Sequence, residues 1–147
     1  MIVLDTTVLV YATGAEHPLR APCRRVVQAV GEGRLAATTT AEVIAELVAV
    51  RGRRRPRADA VEVGRRFTEL LSPLASPDEE VALSALDLYE RHPRLGSLDA
   101  VLAALVLRKG YAALVSASRA FGSVRGLKAV DPATPALDGL LAEGSRS

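Results

Sequence analysis

Ile2-Val3-Leu4-Asp5-Thr6-Thr7-Val8-Leu9-Val10-Tyr11 opens the chain with an apolar run that stops at a carboxylate. Met1 to Leu4 reads as a short buried strand, because a brief continuous apolar run suits a strand covered on both faces. Asp5 then stands directly at the strand's carboxyl end. Two readings fit it on position: an ordinary strand-ending turn aspartate, or a carboxylate facing the crevice where ligands gather in open parallel sheets.

Outward from this strand, helices and strands alternate. Helical spacing runs from about Leu19 to Val30 and is closed by Gly31 and Gly33. Leu35 to Ala37 reads as a second strand. Of the three threonines that follow, Thr40 in particular is placed to cap a helix from Ala41 to Val50. Another helix is expected from Asp59 to Leu71, and a third short strand at Pro73-Leu74-Ala75, bracketed by Pro73 and Pro77. Ser76-Pro77-Asp78-Glu79 has the proline and acids of a helix start, and that helix runs to about Arg91, where His92-Pro93 breaks it. Ser97 is placed to cap an apolar helix from Leu98 to Lys109, ended by Gly110. Ala113 to Ser116 reads as a fourth strand and Ala129-Val130 as a fifth, ahead of a Pro-, Gly- and Ser-bearing tail over about 132–147. No internal repeat or interior linker interrupts the pattern. Strands alternating with helices imply a parallel sheet covered on both faces. The expected fold is therefore α/β: one domain over 1–147, a three-layer α/β/α sandwich with a central, mostly parallel sheet.

The bulk composition agrees. A chain of 147 residues, 49% hydrophobic and 24% charged, is long enough to bury one substantial core. Aromatics are only 3% and Trp is absent, so Ala, Leu and Val must build that core. The single cysteine, Cys23, rules out an intramolecular disulfide and a cysteine zinc cluster, and it fits a reducing compartment. The first apolar run meets Asp5 at once and no 18-residue apolar stretch follows, so a cytoplasmic location and no membrane partner are expected. Net charge is +2 and the pI is near 9.0, yet the arginines are unevenly placed. Arg51, Arg53, Arg54, Arg55 and Arg57 fall within seven positions. Such a patch suits phosphates, or it is a solvated helix end where cations complement the negative pole of the helix dipole.

Three further acids bear on chemistry. Asp99 stands near the start of the apolar helix Leu98-Asp99-Ala100-Val101-Leu102-Ala103-Ala104-Leu105-Val106-Leu107. Apolar all round, that helix is expected to be buried. Its carboxylate is either a first-turn charge complementing the dipole or part of a site. A buried unpaired charge costs several kcal/mol, so in a buried setting it needs a cation or hydrogen-bond donors. Glu42 and Glu46 lie one turn apart on the helix beginning at Ala41. With Glu42 at the origin and about 100° per residue, the stripe of Val43, Ile44, Leu47, Val48 and Val50 centres near about 150°, while Glu46 falls at about 40°. A solvated helix face accounts for both, but if either lines a pocket at the core's edge, geometry favours Glu46.

Other chemistries lack their residues. There is no Gly-rich dinucleotide loop, Walker loop or nucleophile elbow. His17 and His92 each precede a proline, and neither has zinc-ligand spacing. Cys23 has Arg24 and Arg25 beside it but no catalytic partner, so an inert thiol is expected.

Taken together, these segments resemble the PIN-domain family over nearly the whole chain, and within it the VapC-type toxins of toxin–antitoxin pairs. Ile2 to Tyr11 resembles the family's opening strand with its first acid. Thr40-Ala41-Glu42-Val43-Ile44-Ala45-Glu46-Leu47 resembles the second motif, with the family acid in register at Glu46. Leu98 to Ala104 is similar to the third, in which an aspartate opens an Ala-rich helix. Leu114-Val115-Ser116-Ala117-Ser118-Arg119-Ala120-Phe121 resembles the fourth. No one motif is specific; four in this order at these spacings are.

The resemblance implies a metal-dependent endoribonuclease that hydrolyses RNA phosphodiester bonds, with Asp5, Glu46 and Asp99 catalytic. It implies Mg²⁺, with Mn²⁺ as a substitute, held by Asp5 and Asp99, since carboxylate oxygens are hard ligands suited to both ions. Thr6 and Thr7 are placed to orient a ligand or to serve the first turn structurally. Arg51, Arg53, Arg54 and Arg55 become candidates for the RNA backbone. A cognate antitoxin and a homodimer are the implied partners. The chain departs from the family at Ser118, where an aspartate is usual, leaving three matched carboxylates with Glu42 angled away from the core. That departure keeps a second reading open, a catalytically weakened PIN-like module that binds RNA or protein. A phospho-receiver domain also sets acids at strand ends, but its phosphoacceptor belongs on a middle strand, whereas the acid here is at residue 5.

Overall fold

The strand that ends at Asp5 lies inside the sheet. In the computed structural model, which describes residues 1–144, β1 (Ile2–Leu4) pairs on one side with β2 (Ala37–Thr38) and on the other with β3 (Leu114–Val115). Beyond β3 lies β4 (Ala129–Val130), so the strand order is β2-β1-β3-β4, with every pairing parallel. In register, Ile2 faces Ala37, Val3 faces Leu114 and Leu114 faces Ala129. The chain steps from β1 to β2 on one side and later returns to β3 on the other. The order therefore reverses at β1, which opens a crevice at its carboxyl end.

Helices α1 (Thr6–Thr13) and α2 (Arg20–Gly31) connect β1 to β2. Four more, α3 (Ala41–Gly52), α4 (Arg57–Leu70), α5 (Glu79–Arg91) and α6 (Ser97–Lys109), connect β2 to β3. A 3₁₀ turn at Arg119–Ser123 precedes β4, and α7 (Ala136–Gly144) follows it. The helices pack as neighbours α1/α2, α3/α4 and α5/α6 around the sheet, giving the α/β architecture expected. Leu4, Leu9, Leu47, Leu102, Leu114 and Phe121 are among the fully buried side chains, so the core is mainly aliphatic. Among the described residues no helix is long and apolar enough to cross a membrane.

Local signals set the ends of the helices that matter here. Thr40 caps α3, its hydroxyl accepting from the Val43 N–H at 3.3 Å. Asp78 caps α5 by accepting from Val81 at 3.0 Å. Gly110 ends α6 in the left-handed region, φ 71°, which glycine enters without strain. Because α3 carries Glu46, its cap bears on the site. Thr40→Ala is expected to cost about 1 kcal/mol, a fall of roughly 2–4 °C in melting temperature for a chain of this size, measurable by circular dichroism.

Three expectations need correction. Pro73-Leu74-Ala75 is no strand of the sheet: it makes a single parallel bridge, Ala75 to Thr40, with the Ala75 N–H donating to Thr39 O at 2.9 Å. The cap position of α6 belongs to Gly96, not Ser97, and the Asp99 carboxylate reaches back to its N–H. The supposed tail contains α7, whose Leu137 and Leu140 are buried, while its last residues, 145–147, lie outside the described residues.

Candidate active site

Asp5 sits where β1 hands over to α1, at the N-cap position of that helix, and is 3% exposed. Its backbone is fixed by the sheet, the N–H donating to Val115 O at 3.0 Å. Its side chain does not cap the helix. Instead, Oδ2 accepts from Ser116 Oγ at 2.6 Å and from Thr7 Oγ1 at 2.8 Å. A carboxylate this buried requires such donors or a cation. The positive end of α1 beside it also favours its charge.

Glu46 lies on α3 and Asp99 in the first turn of α6, so three separate elements bring the acids to the crevice at the end of β1. Glu46 Oε2 accepts from Thr6 Oγ1 at 3.0 Å, which ties α3 to the residue next to Asp5. Asp99 Oδ2 accepts from the Gly96 N–H at 3.2 Å. Burial pushes the Asp99 carboxyl above the ordinary aspartate range. The Gly96 hydrogen bond opposes that rise, and the charges of Asp5 and Glu46 add to it. Asp5 and Glu46 are thus both within electrostatic reach of Asp99. Glu42, one turn earlier on α3, is exposed and is not among the charges acting on Asp99.

The hydroxyls are more involved than the sequence alone indicates. Ser118 holds the N-cap position of the 3₁₀ turn, its Oγ accepting from Ala120 N at 3.3 Å, while its own N–H donates to Ser116 Oγ at 3.0 Å. Ser116 was missed; the available signal was a small polar residue closing an otherwise apolar strand. Cys23 is fully buried and its thiol is pushed up to about 12, mainly by burial and then by the charge of Asp131, as an inert thiol should be.

The arginine run divides. Arg51 is tied into the fold, with Nη1 donating to Thr13 O at 2.9 Å and the guanidinium pairing with Asp59. Arg53, Arg54, Arg55 and Arg57 are exposed and make no salt bridge among the described residues. Arg54 and Arg55 border a cleft of about 100 Å³ between the C-terminal ends of α1 and α3, floored by Val10, Leu47 and Val50.

Among the described residues no three His, Cys, Asp or Glu side chains form a ready cage for a metal ion. That does not count against Mg²⁺, which keeps several waters and typically takes only one or two carboxylates from protein. The donor set suits such an ion: Asp5, Glu46 and Asp99 offer oxygen alone, and a cation would offset the burial and like-charge repulsion acting on Asp99. Asp5 Oδ1 carries no hydrogen bond among the described residues, since both donors reach Oδ2.

A parallel sheet with a switch point at β1 and acids from β1, α3 and α6 around it defines a class, and comparison with known proteins identifies it. The model of the PIN domain matches residues 2–127. Ribonuclease VapC7 of Mycobacterium tuberculosis is 51% identical over 144 residues, spanning 97% of this chain and 99% of that protein. Ribonuclease VapC23 of the same species is 34% identical over 113 residues, 75% of this chain and 86% of that one. The structure of VapBC-1 from nontypeable Haemophilus influenzae shares the fold, with a TM-score of 0.68 at 20% identity, covering 91% of this chain and 100% of that one. The chain belongs to the PIN-domain family, and its pattern is of the VapC type.

Proposed function

We propose that the chain is a metal-dependent endoribonuclease, the toxin of a toxin–antitoxin pair, which hydrolyses RNA phosphodiester bonds in the cytoplasm. One observation carries the reading: Asp5, Glu46 and Asp99, from three elements, lie close enough at the end of β1 for the first and second to act on the third. The names of the ribonuclease relatives point the same way, and the antitoxin partner rests on the VapBC pairing named for the structural neighbour.

Asp5 and Asp99 would hold Mg²⁺, or Mn²⁺ in its place. The chemistry the ion supplies when bound is activation of water for attack and offset of charge developing on the phosphate. Glu46, exposed and steadied by Thr6, is placed to orient the incoming water. Exposed Arg53, Arg54 and Arg55 would take the RNA backbone. A homodimer is supported by the outer face of α5, where Leu83, Leu86 and Tyr89 are 67%, 65% and 53% exposed.

The deciding experiment is cleavage of labelled RNA by the purified chain in Mg²⁺, in Mn²⁺ and in EDTA. Cleavage that needs the ion is the expected result; RNA binding without cleavage at any metal concentration would favour the weakened-module reading. Ser118 bears on that choice, since its hydroxyl stands in the family's acidic position. Asp serves an N-cap as well as Ser, so Ser118→Asp should keep the 3₁₀ turn. Two unit charges about 4 Å apart at an effective dielectric of ~20 interact by about 4 kcal/mol before desolvation. The net gain should be nearer ~1–2 kcal/mol, so Mn²⁺ affinity should rise roughly tenfold in isothermal titration; equal or weaker binding would place residue 118 away from the ion.

A further inference from the structure

The geometry points to Ser116 and Thr7 as a two-hydroxyl clamp that presents Asp5 to a divalent cation through a single oxygen, Oδ1. Both are positioning residues, and the inference rests on the metal-dependent reading above.

The two hydroxyls reach the carboxylate from different elements. Thr7 is in the first turn of α1, whereas Ser116 directly follows β3. Even so, both donate to the same atom, Oδ2, at 2.8 and 2.6 Å. Each hydroxyl oxygen also accepts a backbone N–H, and among the described residues the only other acceptor for either proton is the partner hydroxyl, at the longer distance of 3.3 Å. Ala117 N donates to Thr7 Oγ1 at 3.0 Å, and Ser118 N donates to Ser116 Oγ at 3.0 Å. The shorter contacts to a charged oxygen, 2.8 and 2.6 Å, favour donation to Asp5 from both.

Holding the chain together does not require this arrangement. Asp5 N already bonds to Val115 O, and Ser116 N to Val130 O, both at 3.0 Å, so the sheet ladder fixes the backbone on either side. What the hydroxyls add is a fixed carboxylate plane. With Oδ2 doubly occupied, bidentate coordination by Asp5 is disfavoured and Oδ1 remains the donor. A cation arriving at Oδ1 meets a ligand already oriented. Partners that orient metal ligands in this way typically contribute 10–100-fold in affinity.

The test is calorimetric titration of Mn²⁺ alone into the full chain, compared with Ser116→Ala, Ser116→Thr and Thr7→Val, each checked for folding by circular dichroism. Ser116→Ala and Thr7→Val should each bind Mn²⁺ about tenfold more weakly. Ser116→Thr, which keeps the hydroxyl, should restore binding. In cleavage assays the metal concentration for half-maximal rate should rise with KM for RNA unchanged, a separation that general loosening of the fold would not produce. If Ser116→Ala does not fold, Thr7→Val reads the same oxygen. Folded alanine or valine variants with wild-type Mn²⁺ affinity would overturn the clamp while leaving the nuclease reading intact, as would a threonine variant as weak as alanine. A folded wild-type chain that binds no Mn²⁺ would overturn both.

Discussion

Asp5→Asn and Asp99→Asn should each lower metal-dependent RNA cleavage by about 10³-fold or more while leaving the fold intact. A bound cation contributes several kcal/mol to the transition state of phosphate hydrolysis, and each ~1.4 kcal/mol lost is tenfold in rate. Asparagine nearly matches aspartate in shape but offers one acceptor oxygen in place of two. At position 5 that oxygen is demanded by the Ser116 and Thr7 hydroxyls, which would turn the amide NH₂ toward the ion. At position 99 the amide oxygen can still accept from Gly96, so the start of α6 survives. Wild-type cleavage rates in both variants would remove the proposed site altogether.

The Asp99 variant carries a second, opposite signature. Because burial and then the charges of Asp5 and Glu46 raise the Asp99 carboxyl, the metal-free native state holds that proton more tightly than the unfolded chain does. Stability therefore falls as pH rises from the ordinary aspartate value through the raised one, and the whole penalty is present once pH is above both. An asparagine side chain in its place titrates no proton and escapes that penalty. In EDTA the Asp99→Asn protein should melt higher than wild type near neutral pH. The gap should narrow as pH drops toward the ordinary aspartate value. A cation bound to the wild type should close the gap from the other side, by stabilising the charged form. Equal melting temperatures in EDTA at neutral pH would mean that neither burial nor the neighbouring acids penalise the Asp99 charge.

The parts of this architecture that announce themselves in sequence are those where local preference and burial agree. β1, β3 and β4 are short apolar runs with polar or turn residues at their ends, α3 and α5 carry their own side-chain caps, and Gly110 marks the end of α6. The misreadings fall where the two disagree. Gly96 rather than Ser97 takes the cap position of α6, because the Asp99 carboxylate reaches back to its N–H. Leu74-Ala75 resembles a buried strand, yet only one backbone bridge is available beside Thr40. The carboxylates could be found because an acid at a strand end or at the start of an apolar helix stands out. The pairing of Ser116 with Thr7 could not: hydroxyls are common, and only the fold reveals that residues 109 positions apart approach one another at 3.3 Å. For the arginines the sequence supplied the cluster but not its division, since nothing in the string separates Arg51, held by Asp59 and Thr13, from its exposed neighbours.

That division sets the other large effect. Replacing Arg53, Arg54 and Arg55 together with Gln should weaken RNA binding about 100-fold at 0.1 M salt, with little dependence on RNA sequence. Each phosphate neutralised on a single strand contributes about 0.7 to the slope of log affinity against log salt, so three lost contacts flatten it by about 2, or two decades at 0.1 M. The position favours contact with substrate. Arg53 follows Glu46 by seven residues along α3, roughly 10 Å at 1.5 Å per residue, and Arg54 and Arg55 flank the cleft at that same end. Arg51 is left in place because its guanidinium anchors α1 to α4; removing it would confound binding with stability. The competing account is a solvated helix end, where the same cations merely complement the C-terminal dipole of α3. The two accounts part on salt dependence. Fluorescence anisotropy with two unrelated RNA oligonucleotides, in EDTA to prevent cleavage, should give a shallower slope for the variant with both. An unchanged slope would assign the arginines to the helix end, and the RNA backbone would need another surface.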